Sequence, residues 1–178
     1  MKKILLHTAL TFLLFITVFP SVQAQEALEP KPSPMAVATM KKDDAYVKIV
    51  YSRPHKRDRK IFGALEPYGK VWRLGANEAT EITLTQDMTF GGKPLTAGTY
   101  SMYAIPEEDR WTIIFNSALG EWGAYNYDKS KDVMRLEVPT QKAEETYQPF
   151  TIMFNEEGTE MTMVWDTTKV VVPVGVSA

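Results

Sequence analysis

Arginine, asparagine and glutamate cluster in two short stretches of this 178-residue chain. In Arg53-Pro54-His55-Lys56-Arg57-Asp58-Arg59-Lys60, five cations accompany a single anion. In Trp72-Arg73-Leu74-Gly75-Ala76-Asn77-Glu78, an arginine and a carboxylate lie on either side of a glycine. Guanidinium groups are planar forks that suit a carboxylate or a phosphate. Asn77 suits a turn, and Gly75 permits a bend or a close backbone approach. Arg53, Arg59, Trp72, Arg73, Asn77 and Glu78 are therefore the candidate ligand-binding residues, fit to hold a small anionic or sugar-like molecule. The same residues also suit a structural corner, with Trp72 in the core and Glu78 paired with an arginine. Lys56, Arg57 and Lys60 read as a solvated basic loop.

Other chemistry is limited by residue counts. There is no cysteine, which leaves no disulfide, thiolate metal site or thiol nucleophile. The histidines are His7 and His55, too few for a His-rich zinc site once an N-terminal leader is removed. No G-x-S-x-G occurs. A carboxylate-dependent hydrolase would use Glu78 with Glu81 or Asp87, as glycosidase chemistry needs two facing carboxyl groups. Glu78 and Glu81, three apart in a strand, would face opposite sides. Asp128 and Asp132 match no calcium-loop spacing. No catalytic residue, metal ligand or cofactor is assigned. In Glu121-Trp122-Gly123-Ala124-Tyr125-Asn126-Tyr127-Asp128 the aromatic rings suit either a sugar-stacking platform or a loop pinned to the core.

The N-terminus has the form of a secretory leader. Lys2 and Lys3 precede an apolar run, followed by Pro20 and the small-residue stretch ending at Ala24. The run is short of the roughly 20 residues of a spanning helix. Residues 1–24 are expected to be a cleaved signal peptide, with no stable membrane insertion afterwards and no cysteine for lipid attachment. Losing Lys2 and Lys3 lowers the Lys+Arg count from 20 to 18, against 22 Asp+Glu. This mildly acidic balance argues against nucleic acid as a partner. The expected location is the periplasm or the outside of the cell.

The elements that must position these residues read as strands. Residues 25–36 hold three prolines and form a flexible lead. Beyond them, residues 37–178 form one domain of ordinary size. Val47, Ile49 and Tyr51 alternate on one face, as do Trp111, Ile113 and Phe115. Strands are expected at 45–52, 71–74, 81–85 and 88–90, with Gly91-Gly92 as a hairpin turn. TYSMYAIP, WTIIFN, VMRLEV, FTIMFN, MTMVW and KVVVPV complete the series, the turn Asn155–Gly158 dividing FTIMFN from MTMVW. No sustained helical period appears. The expected fold is all-β: an antiparallel β-sandwich or open barrel of roughly eight to ten strands.

YSRPHKRDRKIFG, PYGKVWRLGANEAT, GGKPLTAGTYSMYAIP and WTIIFN together resemble the exported bacterial domain-of-unknown-function family 2911, from about Val37 to Val174. The resemblance implies that Arg53, Arg59, Arg73, Asn77 and Glu78 belong to one constellation. It implies no activity. The expected function is that of an exported envelope protein, a non-enzymatic binding module for a small anionic or carbohydrate ligand. The alternative is a structural or protein-interaction domain whose partner binds a sheet edge or the aromatic loop.

Overall fold

The computed structural model describes residues 31–177; the expected leader and the first half of the flexible lead, residues 25–30, lie outside the described residues. Among the described residues, nine strands form one antiparallel sheet: β1 (Met35–Lys42), β2 (Ala45–Ser52), β3 (Thr80–Leu84), β4 (Met88–Phe90), β5 (Lys93–Leu95), β6 (Gly98–Pro106), β7 (Arg110–Asn116), β8 (Asp132–Phe154) and β9 (Glu160–Val176). Their order is β1-β2-β3-β6-β7-β8-β9-β4-β5, an open sheet with β1 and β5 at its edges. The all-β, antiparallel reading holds. Short hairpins join several neighbours, and a single turn of 3-10 helix covers Lys129–Lys131.

The sheet curls because its two longest strands bend together. Between the pairs Lys142↔Thr168 and Thr151↔Val164, β8 advances nine residues and β9 only four, with register shifts on both sides of Tyr147. Extra residues on one strand of a pair bend it and increase local twist. Asp166, with φ 56, marks the bend in β9. The amide of Val174 reaches the carbonyl of Thr159 at 2.7 Å, so β9 folds over and its ends meet. VMRLEV and FTIMFN, expected as separate strands, are the two arms of β8; MTMVW and KVVVPV are those of β9. The interior residues between these arms form the main core.

Alternation places the core residues. Val47, Ile49 and Tyr51 point inward from β2, Trp111, Ile113 and Phe115 from β7, and Met134, Leu136 and Val138 from β8, all buried. Trp72 is the hub of an aromatic group, with ring centroids 5.0 Å from Phe150, 5.7 Å from Trp111, 5.8 Å from Trp165 and 5.9 Å from Phe62. On the opposite face, Tyr103, Ile114 and Ala79 form a smaller cluster under Tyr127 and Ala124.

Two boundaries differ from the sequence reading. β1 begins at Met35, two residues before the expected start of the domain. Val71–Leu74, expected as a strand, contributes one bridge, Trp72↔Ala104, within the long connection between β2 and β3. Along β8, Asp132–Pro139 pairs with β7 alone and pairing with β9 starts at Thr140. A cleft of about 770 Å³ opens along that unpaired side, bordered by Lys93, Arg135, Glu137, Pro139 and Val171.

Candidate functional site

The connection from Arg53 to Ala79 carries the candidate residues. An ordered connection of that length is uncommon and is usually functional. It is tied down at both ends. Near its start, the Lys56 amide donates to the Gln148 carbonyl, and the Phe150 amide donates back to Pro54. Near its end, the Trp72 and Ala104 backbones exchange hydrogen bonds at 2.7 and 2.9 Å. Ile61 and Phe62 are buried in between, and the Glu66 amide donates to the Ile61 carbonyl, closing a turn.

Residues 74–77 are coiled tightly. Leu74 and Asn77 both take left-handed backbone angles, φ 52 and φ 59. For a leucine that conformation costs roughly 1–2 kcal/mol. Asn77 is well suited to it. Its amide donates to the Ser33 carbonyl at 3.2 Å and to Ser52 Oγ at 3.3 Å. Gly75 is needed for a different reason: a Cβ there would lie 2.9 Å from the Ser52 carbonyl oxygen. The indole of Trp72 donates to the Gly75 carbonyl at 3.0 Å, which locks the coil to the aromatic core.

The six candidates divide among four settings. Arg59, Arg73 and Asn77 border one cavity of about 300 Å³, together with His55, Arg57, Glu66 and the edge of Trp165. Arg59 donates to the carbonyls of Lys56, at 3.1 Å, and His55. Arg73 donates to the Asn77 carbonyl at 3.0 Å and lies over the Tyr125 ring. These bonds fix the guanidinium groups while leaving part of each fork free. Arg53 is directed elsewhere, onto β8: Nε donates to the Phe150 carbonyl at 3.2 Å and its terminal nitrogen to Thr151 Oγ1 at 2.7 Å. Trp72 lies in the core.

Glu78 is the fourth case. The structure corrects the expected pairing with an arginine: Glu78 Oε1 meets Lys31 Nζ at 3.1 Å, with both side chains about half exposed. Its own backbone amide, followed by Lys31, holds its carboxyl below the usual range against a modest burial effect. Glu78 borders a separate, mostly apolar cavity of about 260 Å³ with Glu81 and Glu121. Glu78 precedes β3 and bridges to Trp122, so strand alternation with Glu81 does not apply. Asp87 accepts from the Ala97 amide and serves a turn.

Glu66 is the site residue that sequence reasoning missed. With Asp58 it is one of two anions between Arg53 and Asn77, and that scarcity was the available signal. Among the described residues it forms no ion pair. Burial pushes its carboxyl up to about 7, against the lowering pull of Arg73 and then Arg59. Desolvation outweighs two nearby guanidinium groups here because neither makes contact.

In the aromatic loop one ring is pinned to the core and two are exposed. Tyr127 is pinned: its ring packs edge-on to Tyr103 at 5.1 Å and its hydroxyl donates to Asp132 at 2.7 Å. Burial, and then that bond to Asp132, push the Tyr127 hydroxyl up to about 12. Trp122 and Tyr125 are exposed, each beneath a cation. Asp128 caps Ser130, and Asp132 holds Asn116, Tyr127 and Arg135. Among the described residues no cluster of three or more acidic or histidine side chains could hold a metal.

The match to a family model spans residues 33–174 and is described as a protein of unknown function, DUF2911. The chain belongs to the DUF2911 family. The match takes in the whole connection between β2 and β3 and every strand but the last residues of β9. No curated protein and no solved structure matches the chain. Family membership therefore brings no activity to the cavity, whose reading depends on its own chemistry.

Proposed function

We propose that this DUF2911 protein is an exported, non-enzymatic binding module of the cell envelope, and that the cavity at Arg59, Arg73 and Asn77 takes a small anionic or sugar-acid ligand. The supporting observation is the convergence of Arg57, Arg59, Arg73 and Asn77 on one cavity of about 300 Å³, at the small end of the range for small-molecule sites. Charge-assisted bonds to guanidinium forks are strong where water is partly excluded. The left-handed Leu74 adds support, because backbone strain tends to be retained at functional sites. Export rests on the leader-like residues 1–24, and the absence of cysteine fits a protein without a lipid anchor.

A thermal-shift screen of residues 25–178 against uronates, sulfate, phosphate and dicarboxylates, run beside Arg73→Ala, tests this reading. An anion at a hundred times its Kd adds about 2.7 kcal/mol, and about 2–4 °C per kcal/mol predicts a rise of roughly 5–10 °C in the native sequence alone. No shift with any anion, together with a marked loss of stability in Arg73→Ala, would make the coil a structural corner. The interaction-domain reading would then take its place, with a partner at a sheet edge or at Trp122 and Tyr125.

A further inference from the structure

We propose that Glu66 makes anion capture at this cavity proton-linked, so that a carboxylate or other oxyanion enters together with one proton. The inference rests on the binding reading above and adds the residue that sets its selectivity. Glu66 borders the same cavity as Arg57, Arg59, Arg73 and Asn77. The Ile61–Glu66 turn fixes its backbone, the Gly63 amide donating to the Glu66 carbonyl at 2.9 Å. Its carboxyl lies in the field of Arg73 and Arg59 without an ion pair to either, and burial already pushes it up to about 7.

An arriving anion acts on Glu66 in two ways. It brings a like charge into the cavity, and it draws the guanidinium N–H groups toward itself. Both disfavour the ionised carboxyl. Once protonated, that carboxyl gains an O–H that can donate to a ligand oxygen, whereas the ionised form only accepts and repels. Other charged groups in and beside the cavity constrain the test. Arg57, Arg59 and Arg73 supply the guanidinium groups that face the ligand. Lys56 is engaged by Asp166 at 3.5 Å. His55 borders the same space, and an imidazole would respond to an anion in the same direction. Pro32, Ser33 and Trp165 also line the wall and add no titrating group.

The test is calorimetric titration of the protein with two probes, sulfate and glucuronate, whose charges stay constant from about pH 6 to about pH 8. Phosphate is unsuitable because it titrates within that window. Both probes should bind about tenfold more weakly at about pH 8 than at about pH 6, as expected for a single linked proton leaving near 7. Titrations in buffers of different ionisation enthalpy read the proton uptake directly and need no variant. Near neutral pH and above they should give between about half and one proton per anion. Glu66→Gln should bind at about pH 8 as the native protein does at about pH 6, and His55→Gln should keep the native pH dependence. Tighter glucuronate than sulfate would assign the site to a ligand carboxylate; the reverse would assign it to a sulfate- or phosphate-bearing ligand. A flat pH profile with clear binding overturns the inference and leaves the binding reading standing. So does a slope kept in Glu66→Gln but lost in His55→Gln. Binding of neither probe at any pH overturns both.

Discussion

Replacing Arg53 separates the roles of the arginines, because this residue looks like a ligand contact in sequence and a clamp in the structure. Its guanidinium ties the end of β2 to the returning arm of β8 through the Phe150 carbonyl at 3.2 Å and Thr151 Oγ1 at 2.7 Å. Beside it, the Tyr51 hydroxyl exchanges hydrogen bonds with the backbone of Ile152. No strand ladder joins β2 to β8, so these side chains and a few backbone bonds hold the two together. Hydrogen bonds from a charged donor contribute about 1.5–3 kcal/mol each when buried. Arg53 is only partly buried, so water recovers part of that, and Arg53→Ala should cost about 2 kcal/mol in total. For a domain of this size that is a fall of about 4–8 °C in Tm. Arg53→Lys keeps the charge but loses the planar fork, and should recover no more than half. Thermal denaturation followed by circular dichroism gives both numbers. The anion-induced stabilisation should survive both substitutions. An Arg53→Ala protein that melts as the native one does, yet gains nothing from any anion, would refute the clamp and return Arg53 to the binding site.

Two further outcomes follow from other parts of the same region. Trp72→Phe removes the indole donor to the Gly75 carbonyl and part of a fully packed ring, so Tm should fall by roughly 4–12 °C for a loss of about 2–3 kcal/mol; an unchanged Tm would mean the aromatic core does not anchor the coil. The folded protein holds Glu66 near 7 against an ordinary 4.5, so the native state binds more protons between those values and stability falls as pH rises through that window. Glu66→Gln should therefore be more stable than the native protein by about 1–2 kcal/mol near pH 8, after discounting for partial exposure. The gain should vanish near pH 4, and chemical denaturation at the two pH values checks it.

Strand identity was largely legible from period-two alternation, as in Val47-Ile49-Tyr51 and Trp111-Ile113-Phe115, where one face is dry along the whole strand. It failed where a strand bends. Gln141 to Pro149 contains no apolar alternation and reads as a connection, yet β8 runs through it because β9 bends alongside. Polarity and residue type marked the connection that borders the cavity, although only Arg59, Arg73 and Asn77 of the six candidates meet there. Partners could not be read, because they lie far along the chain: Phe150 and Thr151 for Arg53, Lys31 for Glu78. The local geometry was equally hidden. Two left-handed residues within four, Leu74 and Asn77, redirect the chain so that Arg73 and Glu78 end in different cavities. Glu66 lies in a turn before Pro67, and its burial beside Arg59 and Arg73 follows from the folded connection, not from its sequence neighbours.

The first third of β8, Asp132–Pro139, pairs with β7 alone and leaves a row of main-chain groups without a neighbouring strand. Such a row is a template on which a second molecule can add a strand. Three features stand against that here. Lys93 donates to the Arg135 carbonyl at 2.7 Å and places a charge across the row. The Thr140 amide faces Asp109 on the β7 side, so Pro139, one residue earlier, faces outward with no proton to donate. The β5 edge nearby is three residues long and contains Pro94. Substitutions at Pro139 or Lys93 would therefore register in soluble yield and colloidal behaviour at high concentration, while the melting point of the isolated molecule stayed nearly the same.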